Sequence, residues 1–164
     1  MPRKWQPREM RMVAEYVAKY YREYRTWQRV RLGKTHPHLR PELLSPEEER
    51  MVGVFRRWAD AVVITEDKLI LIEAAIRPDL GDISKLEGYK FLLRYTPEFE
   101  EFRHFPVEMQ LVYAIPDEFL IAEARKHGIK PVFFRPAWLE DYIAELYPHE
   151  RRGTLTFPTR EIVE

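Results

Sequence analysis

Apolar residues recur at three- and four-residue steps near the start of the chain: Val13, Tyr16, Val17, Tyr20, Tyr24 and Trp27. That spacing lines one face of a helix and predicts one over residues 8–27. Arg8, Arg11, Lys19, Arg22 and Arg25 fall mostly off the stripe, on the side a helix turns to solvent. From Gln28 to Leu32 the period drops to two, with Val30 and Leu32 alternating with Arg29 and Arg31. A short half-exposed strand is expected there, closed by Gly33. A proline-bearing loop, Lys34 to Ser45, follows. Ser45-Pro46-Glu47-Glu48 then combines an N-cap serine, a first-turn proline and acids, the start of a short helix.

The pattern changes again at Ala59. Ala59 to Thr65 and Leu69 to Arg77 are two apolar runs joined by the turn Glu66-Asp67-Lys68, a hairpin dense enough in apolar residues to be covered on both faces. Asp82 reads as the cap of a helix with Ile83, Leu86, Tyr89, Lys90 and Leu93 on one side. Met109 to Ile115 is a further strand, stopped by Pro116. Asp117 opens a helix that ends at His127-Gly128, with the glycine just past its end. Pro131 to Arg135 reads as a strand whose proline sits at its start or on an edge, Ala137 to Tyr147 as a last helix, and the alternating tail Thr154 to Phe157 as a candidate edge strand. The expected fold is one α/β domain over residues 1–164, with a core of about 8–147 and a tail at 148–164. A central mixed sheet is flanked by helices.

Composition narrows the function. The chain holds 27 Lys+Arg against 27 Asp+Glu, yet the zero is a cancellation. Residues 1–40 carry eleven basic and three acidic residues, a formal +8, and residues 41–164 carry sixteen and twenty-four, a formal −8. A basic arm on an acidic body can meet nucleic acid, an acidic partner or a second copy of the chain. Arg3, Lys4, Arg8, Arg11 and Arg22 are the candidates for that contact. The absence of cysteine removes disulfides, zinc-thiolate sites and thiol nucleophiles. No apolar run approaches the roughly 20 residues of a membrane helix, and Met-Pro-Arg-Lys-Trp is no signal core. A cytoplasmic or virion location is expected, neither secreted nor membrane-bound. The lack of Asn, with only three Gln, fits selection at high temperature or a GC-rich genome. No P-loop, Gly-rich dinucleotide turn or Gly-x-Ser-x-Gly elbow is present, so a small-molecule cofactor is not expected. His36 and His38 make a His-x-His spacing without a third ligand.

The hairpin holds the chemistry. With Glu66-Asp67 as a two-residue turn, Thr65 faces Lys68, Val62 faces Leu71 and Asp60 faces Glu73. Directly opposed like charges on a sheet destabilise it. A bridging divalent cation is one reason to keep them, since Mg²⁺ is held by one or two carboxylates plus water and phosphate oxygens. Salt bridges to Arg56, Arg57 or Arg77 are another. A one-residue slip of register would separate the acids onto opposite faces.

The segments Arg57 to Thr65 and Leu69 to Ala75 sit within an α-β-β-β-α-β order, with an acid early in the second strand and a glutamate in the third. This resembles the PD-(D/E)XK, or restriction-endonuclease-like, nuclease superfamily over roughly residues 8–115. The resemblance implies that Asp60 and Glu73 hold the metal and that a lysine two residues after the glutamate serves the attacking water. That position is Ala75. Lys85 or Lys90, on the following helix, can take the lysine's place, as in some members of the superfamily, and Glu15 can stand for its occasional first-helix acid.

Two functions follow. The first is a catalytically degenerate nuclease-like domain with a structural or DNA-proximal role. Such a domain would suit a self-assembling head–tail or neck component of a thermophilic phage particle, its partners being copies of itself, other assembly proteins or DNA. The second is an active Mg²⁺-dependent deoxyribonuclease with a relocated lysine, for which Asp60, Glu73, Lys85 and Lys90 are the candidate catalytic residues.

Overall fold

The computed structural model describes residues 6–33 and 58–147. The elements are α1 (Gln6–Tyr20), β1 (Arg25–Arg31), β2 (Trp58–Ile64), β3 (Leu69–Ala75), α2 (Leu80–Leu93), a 3-10 turn (Pro97–Phe102), β4 (Val107–Tyr113), α3 (Glu118–Lys126), β5 (Ile129–Phe133) and α4 (Leu139–Leu146). The strands form one mixed sheet in the order β1-β2-β3-β4-β5. The first three strands are antiparallel neighbours, whereas β3-β4 and β4-β5 are parallel. The predicted short helix at Ser45 and the tail strand at Thr154 lie outside the described residues.

Two apolar layers sandwich the sheet. On one face Leu86, Tyr89 and Leu92 of α2 and Leu120 and Ala124 of α3 pack on Val62, Leu71 and Leu111. On the other, Met12, Val13, Tyr16 and Val17 of α1 and Leu139 and Ile143 of α4 cover Val63, Ile70, Ile72 and Val112. All seven residues of β3 are buried, as a strand covered on both sides requires.

Helix α1 is shorter than its stripe predicts. It stops at Tyr20, and Tyr24 and Trp27 leave the helix. The chain turns through Tyr21 to Tyr24, and the good strand formers Thr26, Trp27 and Val30 pair instead with β2. Trp27 then lies edge-on to Phe99, 5.2 Å between centroids, on the face opposite Tyr16. The cap of α2 also moves. Asp79 is the N-cap and Asp82 the third helical residue. Asp79 Oδ1 accepts from the Gly81 N–H at 2.7 Å, and Asp82 Oδ2 accepts from the Asp79 N–H at 2.8 Å. A Cβ on Gly81 would stand 2.8 Å from Asp79 Oδ1, so the capping carboxylate would have to shift. Asp117 caps α3 as predicted, accepting from the Leu120 N–H, and Gly128 closes it at a φ of 70°.

The hairpin adopts the predicted register, with Val62 facing Leu71 and Ala61 facing Ile72, and its pairing stops one step short of Asp60 and Glu73. A phase slip lies just before it. Val62 and Ala59 both pack on the α2 side although they are three residues apart, and their partners Trp27 and Val30 do the same. Strict alternation would put them on opposite faces. The slip falls at Arg29 and Asp60, where the β1–β2 pairing skips a step and Arg29 takes a φ of 52°. A non-glycine residue in the left-handed region is uncommon and marks a locally imposed conformation.

Candidate active site

The β2–β3 ladder ends at Ala61 and Ile72. Beyond that pair, a side chain replaces the neighbouring backbone as acceptor: the Ala74 N–H donates to Asp60 Oδ2 at 2.8 Å. The strands therefore part where the two acids stand. Glu73, 6 % exposed, lies on the α2 side of β3. Lys85 reaches it from the second turn of α2, its Nζ donating to Glu73 Oε1 at 3.2 Å and to Asp82 Oδ1 at 2.7 Å. Asp82 is buried with both oxygens used, one on the helix cap and one on Lys85. The capping box thus fixes the helix start and aims the lysine together.

A fourth carboxylate comes from α1. Glu9 Oε1 accepts from the Ile76 N–H at 3.3 Å, just past the end of β3. Glu15, the helix acid expected here, instead binds Arg11 at 3.2 Å and the Trp138 indole N–H at 2.7 Å. Glu9 precedes the clear part of the apolar stripe, so its place at the sheet end depends on how α1 crosses the sheet, which periodicity does not encode. Asp82 was readable only as a helix cap.

Four acids and one lysine share this corner, and their proton affinities follow. Burial, with repulsion from Asp60 and Asp82, pushes Glu9 up to about 7. Burial pushes Asp60 up to about 6 against the opposing pull of the Ala74 N–H and Lys85. Burial and then the Asp60 charge drive Glu73 well above the ordinary glutamate range. Burial alone would lower the Lys85 ammonium, but Glu73 and the hydrogen bond to Asp82 outweigh it and hold the proton firmly. Lys85 is a fixed cation in this setting.

The donor set fits a hard divalent cation. Glu73 Oε2 is buried without a hydrogen-bond partner among the described residues, beside a second carboxylate. A buried polar atom left in that state costs about 1–3 kcal/mol. Among the described residues the nearby ligand atoms are carboxylate oxygens, which suits Mg²⁺ better than a softer metal. Among the described residues no three side chains converge as a complete cage. Mg²⁺ does not need one, because it keeps several waters and takes substrate phosphate oxygens.

The other expected residues lie elsewhere. Lys90 is exposed five residues beyond Lys85 and points away from the acids, toward the far end of α2. Arg77 stacks over the Tyr147 ring at 5.1 Å. Arg8 covers Tyr142 at 3.8 Å and Arg11 covers Trp138 at 4.2 Å, so both help dock α1 on α4. Arg22 is exposed on the turn after α1. Arg3, Lys4, Arg56, Arg57, His36 and His38 lie outside the described residues. Ala75 is buried on β3 with 5 % exposure.

The element order α1-β1-β2-β3-α2-β4 and the five-stranded mixed sheet flanked by helices match a restriction-endonuclease-like α/β fold. Two solved structures are similar in fold. One is a repair endonuclease from Pyrococcus abyssi, 17% identical with a TM-score of 0.48, matched over 77% of this chain and 46% of that one. The other is EndoMS in a complex with double-stranded DNA, 15% identical with a TM-score of 0.49, over 77% of this chain and 44% of that one. The chain thus spans less than half the length of either. No protein-family model and no curated protein matches it. Among the described residues, no helix is long and apolar enough to cross a membrane.

Proposed function

We propose that this domain is a Mg²⁺-dependent deoxyribonuclease whose catalytic lysine has moved from the third strand to the following helix. The observation that carries the reading is the contact of Lys85 Nζ with Glu73 Oε1 at 3.2 Å. Ala75 leaves the usual strand position without a charge, and Lys85 brings one to the same glutamate from another element. DNA is the substrate that the superfamily resemblance implies.

Asp60 and Glu73 would hold the cation, with Glu73 Oε2 as the free oxygen. When bound, the cation supplies Lewis acidity and charge neutralisation at a phosphate. Lys85 keeps its proton, so it donates hydrogen bonds and stabilises negative charge and does not act as a base. Asp82 orients Lys85 from within the helix. Glu9 adds a carboxylate with a proton affinity near neutral pH at the rim of the same corner.

The second reading keeps the fold and drops the chemistry: a degenerate, DNA-proximal or self-assembling particle component. Buried Ala75 and the opposed charges of the two chain segments favour it. Incubating the protein with plasmid and linear DNA in Mg²⁺ or Mn²⁺, at moderate and elevated temperature, separates the two. Cleavage lost in Lys85→Ala and Glu73→Gln supports the enzyme. Inertness toward every DNA form supports the scaffold.

A further inference from the structure

At the other end of α2 from the acids lies a cavity of about 740 Å³. Its wall carries three cations, Lys90, Arg94 and Arg103, and four aromatic rings, Tyr95, Phe99, Phe102 and Phe105. Phe102 and Phe105 lean together, 5.6 Å between centroids. Arg103 pairs loosely with Glu100 at 3.4 Å. Lys90 and Arg94 are exposed and have no acidic partner among the described residues. The nearby acid Glu101 is paired with Arg25 at 3.8 Å. The size is within the range of about 300–1,000 Å³ usual for small-ligand pockets.

Aromatic rings beside Lys90 and Arg94 ask for a ligand that is aromatic at one end and anionic at the other, although Arg25 already lies over Phe102 at 6.0 Å. We propose that this cavity takes a nucleotide unit of single-stranded DNA, its base against Phe102 and Phe105 and its phosphate at Lys90 and Arg94. A base buried in a duplex hides both faces in the stack, so only an unpaired strand or end can enter. The cavity opens beside Leu69, four residues before Glu73 on the same strand. At about 3.3 Å per residue that is about 13 Å along β3, the span of about four stacked nucleotides at about 3.4 Å each. Because β3 is covered on both faces, a strand anchored here would cross the surface of α2 to reach the carboxylate corner. The choice of DNA as occupant rests on the nuclease reading; the cations and rings do not.

The test measures binding without cleavage. Fluorescence anisotropy follows a labelled oligothymidylate titrated with the whole protein in EDTA. Wild type should bind, more weakly as salt rises. Lys90→Ala with Arg94→Ala should lose roughly tenfold in affinity, and Phe102→Ala a similar amount. Arg94→Lys should keep most of it. No binding by wild type, or unchanged binding by the cation and Phe102 variants, overturns the proposal. So does displacement of the oligonucleotide by a Glu/Tyr copolymer that binds more tightly at the same residues, which would assign the cavity to an acidic peptide. Because no divalent cation is present, the result is independent of whether the carboxylate corner cuts DNA. Circular dichroism of each variant checks that the fold is intact.

Discussion

Lys85 Nζ stands 3.2 Å from Glu73 Oε1, bringing α2 and β3 together at the point where β2 and β3 separate. The pair supplies the charge that Ala75 does not. It is also a buried ion pair, and removing one partner of such a pair leaves the other uncompensated.

Lys85→Ala is therefore expected to abolish cleavage and to cost about 2 kcal/mol of stability, since Glu73 and Asp82 both lose a charged hydrogen-bond donor. Lys85→Ala combined with Ala75→Lys should recover part of the cleavage, because residues 73 and 75 share a strand face. Rates on linear DNA and urea unfolding midpoints measure both effects. Full activity in Lys85→Ala would remove the lysine from the mechanism.

Glu73→Gln should separate stability from function. It relieves the repulsion between Glu73 and Asp60 while Lys85 keeps Asp82 as its charged partner, so the metal-free protein should melt a few degrees higher, about 3 °C for a change of roughly 1 kcal/mol. The same variant should lose both cleavage and the rise in melting temperature that Mg²⁺ gives the wild type. A variant that still gained stability from Mg²⁺ would place the cation elsewhere.

The raised acids make a definite pH dependence. Glu9 and Asp60 hold their protons more tightly folded than at their ordinary values of 4.5 and 3.8. Their protonated forms thus favour folding. That stability is whole below about pH 4 and is lost as pH rises through about 6 to 7. The melting temperature of metal-free protein should fall across that window, and Mg²⁺ should restore it at the upper end. A flat profile in Glu9→Gln with Asp60→Asn would locate the effect in these two groups; an unchanged slope would locate it elsewhere.

Gly81→Ala tests the helix start. Its Cβ would press on Asp79 Oδ1 at 2.8 Å and loosen the capping box. The expected cost is about 1 kcal/mol, together with a drop in cleavage because Asp82 no longer fixes Lys85. Unaltered kinetics with a lowered melting temperature would confine the cap to stability.

Much of this arrangement was readable from residue order. The two apolar runs around Glu66-Asp67 set a register that brings Asp60 to Glu73, because each side chain of a strand is committed to a face. Lys85 was readable only as one of two lysines on a helix. Lys85 and Lys90 are five residues apart, hence about 140° around the axis at 3.6 residues per turn, and one position can face the acids while the other cannot. Glu9 was missed because the angle of α1 across the sheet decides its place. The extension of α1 to Trp27 failed because aromatic spacing fits a helix as well as a strand when the pairing partner is distant in sequence. The slip at Arg29 and Asp60 has no sequence signal, since neither residue is a glycine.

The most direct measurement is cleavage of end-labelled DNA by wild type and by Glu73→Gln, with Mg²⁺ titrated from zero. Wild type should cut in proportion to bound Mg²⁺, and Glu73→Gln should not cut at any concentration. A wild type inert toward single-stranded, double-stranded and branched DNA at every Mg²⁺ and Mn²⁺ concentration would contradict the nuclease assignment.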